Sequence, residues 1–221
     1  MNTICGRFAL AICACAFALG ACSSRDVPGM IVSPNDAAQS VLHASPYVRL
    51  MAETSSVNTI GGFALTSNAF TNGGVLPLSM TGIAAPQCHG ENVSPALNWS
   101  NAPPGTKSFA LVLFDETANF GHWAVYNIPA TVNRLPAGVK PGNVAATWMQ
   151  AADDAGVQGY FGPCPPLGTL HRYVFTIYAL DTTLDLRNAT PLEAPNVESL
   201  LHAMSGHVLG RASIIGLLQK T

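Results

Sequence analysis

Two short stretches of this chain carry side chains that could handle charge. In the first, Asp115 closes one apolar run and His122 opens the next, with only Glu116 to Gly121 between them. An antiparallel hairpin would bring carboxylate and imidazole to the same mouth. In the second, Gly162-Pro163-Cys164-Pro165-Pro166-Leu167-Gly168 runs into His171, Arg172 and Tyr173. Proline fixes φ and removes an N–H, so this segment should be a stiff wall, with room for a cis X–Pro bond, that delivers polar side chains to the start of a strand. Two imidazoles and a phenol suit charge-assisted hydrogen bonding to anionic oxygens. A carboxylate beside them would orient one ring and raise its pKa above the usual value of about 6.5. Strand alternation turns Arg172 to the face opposite His171 and Tyr173.

The elements that must position these groups are mostly strands. Leu97 to Trp99, Ser108 to Phe114, His122 to Ile128 and Tyr173 to Leu180 are short apolar runs bounded by turn residues. In the second run Phe109, Leu111 and Leu113 face one way and Ala110, Val112 and Phe114 the other, so both faces are apolar and the strand must lie between two covered layers. Near the C-terminus Val197, Leu200, Leu201, Met204 and Val208 recur at helical spacing. This predicts an amphipathic helix that starts after Pro195-Asn196 and is ended by Gly210, followed by a strand over Ala212 to Leu218. Trp99 and Trp123 are expected in the core, Trp123 within reach of the pocket edge beside His122; His207 is expected to be a packed or capping residue, and His43 and His202 carry no signal.

Composition sets the outer limits. The 221 residues carry 10 Lys+Arg against 12 Asp+Glu, too few and too balanced to form the basic footprint of a nucleic-acid partner. Twenty glycines and sixteen prolines fit many strands joined by tight turns. At the N-terminus a single charge, Arg7, precedes the apolar run Phe8 to Leu19, which is too short to span a bilayer. Leu19-Gly20-Ala21-Cys22 has the form of a lipobox, so residues 1–21 are expected to leave as a signal peptide and Cys22 to carry a lipid anchor. Ser23 and Ser24 point to the outer membrane. Residues 22–60 read as a tether, with a short helix possible over Asp36 to Leu42, and residues 61–221 as one domain. Only Cys88 and Cys164 then remain in the folded part, and two thiols in an oxidising compartment suggest one disulfide, although spacing alone does not establish it. A zinc site made of Cys88, His89, Cys164 and His171 would lack the close paired spacing of structural zinc sites.

The stretch Cys88-His89-Gly90-Glu91-Asn92-Val93-Ser94-Pro95-Ala96-Leu97-Asn98-Trp99 is similar to the first signature of the phosphatidylethanolamine-binding, or Raf-kinase-inhibitor-like, proteins of bacteria. Pro103 to Ser108, His122-Trp123 with Asn127-Ile128-Pro129, Gly159-Tyr160 with Gly162 to Pro166, and Met204 with Gly206 to Leu209 follow in family order, so the resemblance covers about Phe63 to Leu218. It implies an antiparallel, Greek-key, β-sandwich-like fold with few helices. It also implies a small pocket for phosphate, phosphoethanolamine or similar anions, lined by Asp115, His122, Pro166, His171 and Tyr173. The chain departs from the pattern at Asp115-Glu116-Thr117-Ala118-Asn119, where Thr117 occupies the family's second acidic position and the loop before His122 is shorter.

These readings give a non-enzymatic binding or regulatory domain, lipid-anchored in the cell envelope and facing the periplasm. Its partner would be a small anionic ligand, a phospholipid head group or another protein. Two other uses of the same residues are an acid–base or metal-assisted phosphoester hydrolase and an inhibitor of a kinase or protease acting through the pocket surface. The chain has no Gly-x-Ser-x-Gly elbow and no Gly-rich phosphate loop, and no cofactor is expected.

Overall fold

The computed structural model describes residues 62–83, 88–141, 148–186 and 195–221. The expected signal peptide, the expected lipid site Cys22, the expected tether with the short helix considered over Asp36 to Leu42, and His43 all lie outside the described residues. Among the described residues nine strands and one α-helix succeed one another, with a 3-10 turn at Leu78–Met80: β1 (Ala64–Ser67), β2 (Gly74–Val75), β3 (Leu97–Ser100), β4 (Ser108–Asp115), β5 (Phe120–Pro129), β6 (Arg134–Leu135), β7 (Met149–Ala151), β8 (Leu170–Leu180), α1 (Val197–Met204) and β9 (Val208–Gln219).

A six-stranded sheet runs in the order β2-β9-β8-β4-β5-β7, and a three-stranded sheet in the order β1-β3-β6. Within the larger sheet β4, β5 and β7 are antiparallel neighbours and β8 returns to lie beside β4, which is a Greek-key arrangement. The alternation along β4 divides two cores. Phe109, Leu111 and Leu113 pack with Leu65, Leu97, Trp99 and Leu135 of the small sheet. Ala110, Val112 and Phe114 pack with Val197, Leu200, Leu201 and Met204 of α1. Every residue of β4 is buried, as a strand between two layers requires.

The helix begins where Asn196 signals it. Asn196 Oδ1 accepts from Ser199 N at 2.8 Å, and Asn196 N donates to Ser199 Oγ at 2.9 Å, so each residue satisfies an otherwise orphan N–H of the other. It ends earlier than its apolar period suggests. Ser205 is the C-cap, Gly206 takes φ +79°, and Val208 already belongs to β9. The longer strand wins because β9 pairs with β8 from Leu180↔Val208 to Leu170↔Gln219. Gly210, expected as a helix terminator, is a strand residue instead: a Cβ there would sit 2.7 Å from Pro103. The described peptide bonds are all trans, so the proline segment contains no cis bond.

Candidate functional site

Asp115 is the last residue of β4 and pairs directly across to Tyr173 on β8, so both project from the same face, and His171, two residues before Tyr173, joins them. His122 reaches that face by a different route. Leu113 pairs with Trp123 but Phe114 pairs with Gly121, which leaves His122 as an extra, unopposed residue in a β-bulge. With regular pairing His122 would lie opposite Phe114 and point toward α1. The bulge gives that direction to Gly121, where a Cβ would come within 2.8 Å of Val197, and turns His122 to the side of Asp115 and Tyr173.

Asp115, His122, Pro166, His171 and Tyr173 therefore line one cavity of about 200 Å³, together with Ala118, Phe120, Phe161, Cys164 and Pro165. Asp115 organises it. Its Oδ1 accepts from the N–H groups of Thr117 (2.9 Å) and Ala118 (3.0 Å), which shapes the hairpin turn, and its Oδ2 accepts from His171 Nδ1 at 2.7 Å. His122 Nε2 lies 4.0 Å from the same oxygen. His122 Nδ1 donates to the Phe161 carbonyl at 2.8 Å while Phe161 N donates to the His122 carbonyl at 3.0 Å, a reciprocal pair that fixes ring and backbone together.

Burial decides the electrostatics. It holds the His122 pKa below its ordinary 6.5, against the opposing pull of the Phe161 carbonyl and Asp115, and His171 adds to the lowering. Asp115 does pull the His122 pKa upward, as a neighbouring carboxylate should, but at 4.0 Å its attraction is smaller than the cost of desolvating the imidazolium, so the net shift is downward rather than the expected rise. Burial also pushes the Tyr173 phenol up, reinforced by the negative charge of Asp115 nearby.

The proline wall is held from behind. Asn92 Oδ1 accepts from Gly162 N at 2.7 Å, Asn92 Nδ2 donates to the Tyr160 carbonyl at 3.1 Å, Tyr160 Oη donates to the Met80 carbonyl at 2.8 Å, and Gly82 N donates to the Pro163 carbonyl at 2.9 Å. Gly162 must lack a side chain, since a Cβ would meet Gly82 N and the Met80 carbonyl at 2.7 Å. Cys164 is disulfide-bonded to Cys88, with Cα atoms 5.8 Å apart, so neither thiol is left for zinc.

The model of the family described as phosphatidylethanolamine-binding protein matches residues 66–219, well over half of the chain. The chain belongs to this family. It is 41% identical over 160 residues to a UPF0098 protein of Methanothermobacter thermautotrophicus, covering 71% of this chain and 98% of that one. It is 43% identical over 128 residues to the UPF0098 protein YbcL of Escherichia coli, covering 54% and 69%. Among solved structures, E. coli YbcL, described as a new member of the mammalian PEBP family, superposes with a TM-score of 0.62 at 31% identity over 72% of this chain and 99% of that one. A putative phosphatidylethanolamine-binding protein homologue from Chlamydia trachomatis gives 0.59 at 32% identity over 73% and 99%.

Within the family's pattern, the first signature, Cys88 to Trp99, thus acts as a brace: Asn92 fastens the cavity wall and His89 is exposed. Arg172 faces away, as alternation requires, and pairs with Glu116 on the outer surface. Thr117 contributes no charge; its hydroxyl accepts from Arg172 N at 3.0 Å. Trp123 does not reach the pocket edge. It is fully buried on the core side, with Nε1 donating to Gln150 at 2.8 Å. His207 forms an exposed pair with Asp181 at 2.8 Å. No periodicity or motif marks Phe120 and Phe161 as cavity walls, or Asp154, which clamps Gly121 beside the bulge: Gly121 N donates to Asp154 Oδ2 at 2.6 Å, and Asp154 N donates to the Gly121 carbonyl at 3.0 Å.

Proposed function

We propose that this chain is a non-enzymatic binding or regulatory module of the bacterial Raf-kinase-inhibitor-like type. Its cavity takes phosphate, phosphoethanolamine or a similar anionic group presented by a small molecule, a phospholipid head group or a protein. The observation that carries this reading is the convergence of His122, His171, Tyr173 and Asp115 on one cavity of about 200 Å³, the scale of a single phosphate-bearing head group. When protonated, the two rings would meet anionic oxygens with charge-assisted hydrogen bonds in a partly dry setting, where such bonds are strongest.

The expected result is saturable binding of phosphate and phosphoethanolamine by calorimetric titration at about pH 6, where imidazolium is accessible. A His122→Ala, His171→Ala double variant should lose at least about tenfold in affinity, which corresponds to about 1.4 kcal/mol. Unchanged affinity in that variant would place binding elsewhere and refute the reading. A turnover assay on phosphoesters, with and without chelator, should stay flat.

The same proposal places the module in the envelope, exported by residues 1–21 and tethered through a lipid on Cys22, facing the periplasm from the outer membrane. Radiolabelled palmitate should be incorporated into the native chain. A Cys22→Ser variant should lose both the label and the membrane fraction.

A further inference from the structure

The cavity's hydrogen-bonding capacity is lopsided. None of its lining residues is a lysine or arginine. Pro165 and Pro166 have no N–H, and the N–H groups of Ala118 and Phe161 are already given to Asp115 and to the His122 carbonyl. The Tyr173 hydroxyl shares the cavity with Asp115 and is the one neutral side-chain donor there. The other side-chain donors are the imidazoles, and each has its Nδ1 proton committed, to the Phe161 carbonyl in His122 and to Asp115 Oδ2 in His171. A carbonyl can only accept, so neutral His122 must carry its proton on Nδ1 and present a bare lone pair at Nε2. In that state the site offers acceptors to its ligand, and an oxyanion meets no donor at this ring until Nε2 gains a proton.

Charge imposes a second restriction. The ionisable groups facing His122 are Asp115 from β4 and His171 and Tyr173 from β8, while Arg172 and Glu116 are paired on the outside. Even with both rings doubly protonated, the two histidines and Asp115 together carry a single positive charge. A dianion would leave a negative charge uncompensated in a site walled by Phe120, Phe161 and two prolines, which is costly.

We infer that the site selects its ligand by charge state, binding singly charged oxyanions such as phosphodiesters and hydrogen phosphate monoesters together with a proton taken up at His122 Nε2. This inference rests on the anion-binding reading above and names the ligand class of that cavity. The depressed basicity of free His122 means that the proton is largely absent before binding near neutral pH. Affinity therefore increases as pH falls toward the free ring's pKa, the direction required when the bound state holds more protons.

The test uses two probes of different ionisation on the full chain with its disulfide intact. Glycerophosphoethanolamine is a diester whose phosphate keeps one negative charge throughout. Phosphoethanolamine is a monoester whose phosphate loses its second proton near about pH 6. Calorimetry at about pH 7.5 in two buffers of different ionisation enthalpy should show uptake of about one proton or more per diester bound. Diester affinity should rise at least about tenfold per unit as pH falls from about 8 to 7, and monoester affinity should rise by a further factor of about ten per unit, because the binding monoanion is itself being depleted at the higher pH. In a His122→Gln variant, whose amide donates without titrating, the diester slope should flatten by about tenfold per unit. Diester binding without proton uptake, or equal pH slopes for the two probes, would overturn the charge-state inference while leaving the anion pocket standing. No binding of either probe or of inorganic phosphate at about pH 6 would defeat the anion reading itself.

Discussion

Asp115 holds together more of the site than any other side chain, and its two oxygens have separable duties. Oδ1 shapes the turn through Thr117 N and Ala118 N, while Oδ2 fixes the tautomer of His171 and contributes the negative charge that limits which ligand can enter. Asp115→Asn separates these duties. The amide oxygen can keep the turn, but its NH2 faces His171 Nδ1, which must then accept and so move its proton to Nε2. The stability cost should be about 1–3 kcal/mol, the range for losing one charge-assisted hydrogen bond, and is measured by denaturant unfolding. At about pH 8 the variant should bind inorganic phosphate more tightly than the native chain, because a negative charge has gone and a donor has appeared without protonation. Nitrogen NMR of His171 should show the exchanged tautomer. Weaker phosphate binding together with an unchanged tautomer would mean that Asp115 contributes something other than orientation and charge. At this scale the sequence was informative about residue types but not about balance: Asp115 and His122 were placed together by hairpin logic, whereas the depth of burial that lowers the His122 pKa depends on Phe161 and Phe120 closing over the ring.

The bulge at His122 is the element on which the cavity depends, and period-two reading conceals it, since regular pairing sends that imidazole toward α1 with Phe114. Its supports are distant in sequence. Asp154 clamps Gly121 from 33 residues away, and Val197 of α1 fills the space where a Gly121 side chain would go. By contrast, the two-faced burial of β4 and the start of α1 at Asn196 were legible, because both follow from local periodicity and capping chemistry. Two predictions belong here. Asp154→Ala removes the 2.6 Å bond to Gly121 N and should cost about 1 kcal/mol of stability, with a loss of roughly threefold to tenfold in phosphate affinity as His122 loses its fixed direction; Asp154→Asn, which keeps an acceptor, should restore most of both. Gly121→Ala forces a methyl against three atoms of Val197 at 2.8 to 3.0 Å and should destabilise by about 1–3 kcal/mol, with recovery when combined with Val197→Ala. A Gly121→Ala protein of native stability would show that the bulge and helix tolerate rearrangement.

Across the whole molecule, the larger sheet lies between the small sheet and α1, and the cavity opens where β4, β5 and β8 meet a wall that belongs to neither core layer. That wall is fastened twice. Met80, Gly82 and Asn92 grip Tyr160, Gly162 and Pro163 through four hydrogen bonds, and the Cys88–Cys164 disulfide fastens the same wall across 76 residues of sequence. The pairing of these cysteines was open to arithmetic once the chain is read as exported, but Asn92 as the brace was not, because its partners lie 68 and 70 residues away and its φ of +54° has no periodic signature. The two fastenings act on different states. A crosslink over so long a loop works mainly by restricting the unfolded chain, whereas the Asn92 bonds set the position of the folded wall. Replacing both cysteines by serine should therefore lower unfolding free energy by about 2–5 kcal/mol while phosphate affinity stays within about twofold. Asn92→Ala should reverse that ratio, with a smaller stability loss of about 1–3 kcal/mol but a clear drop in affinity as Gly162 and the prolines behind it shift. Denaturation and phosphate titration of the two variants side by side make the comparison. If removing the disulfide abolishes binding in protein that is still folded, the hydrogen bonds alone do not hold the wall, and the disulfide is then part of the site.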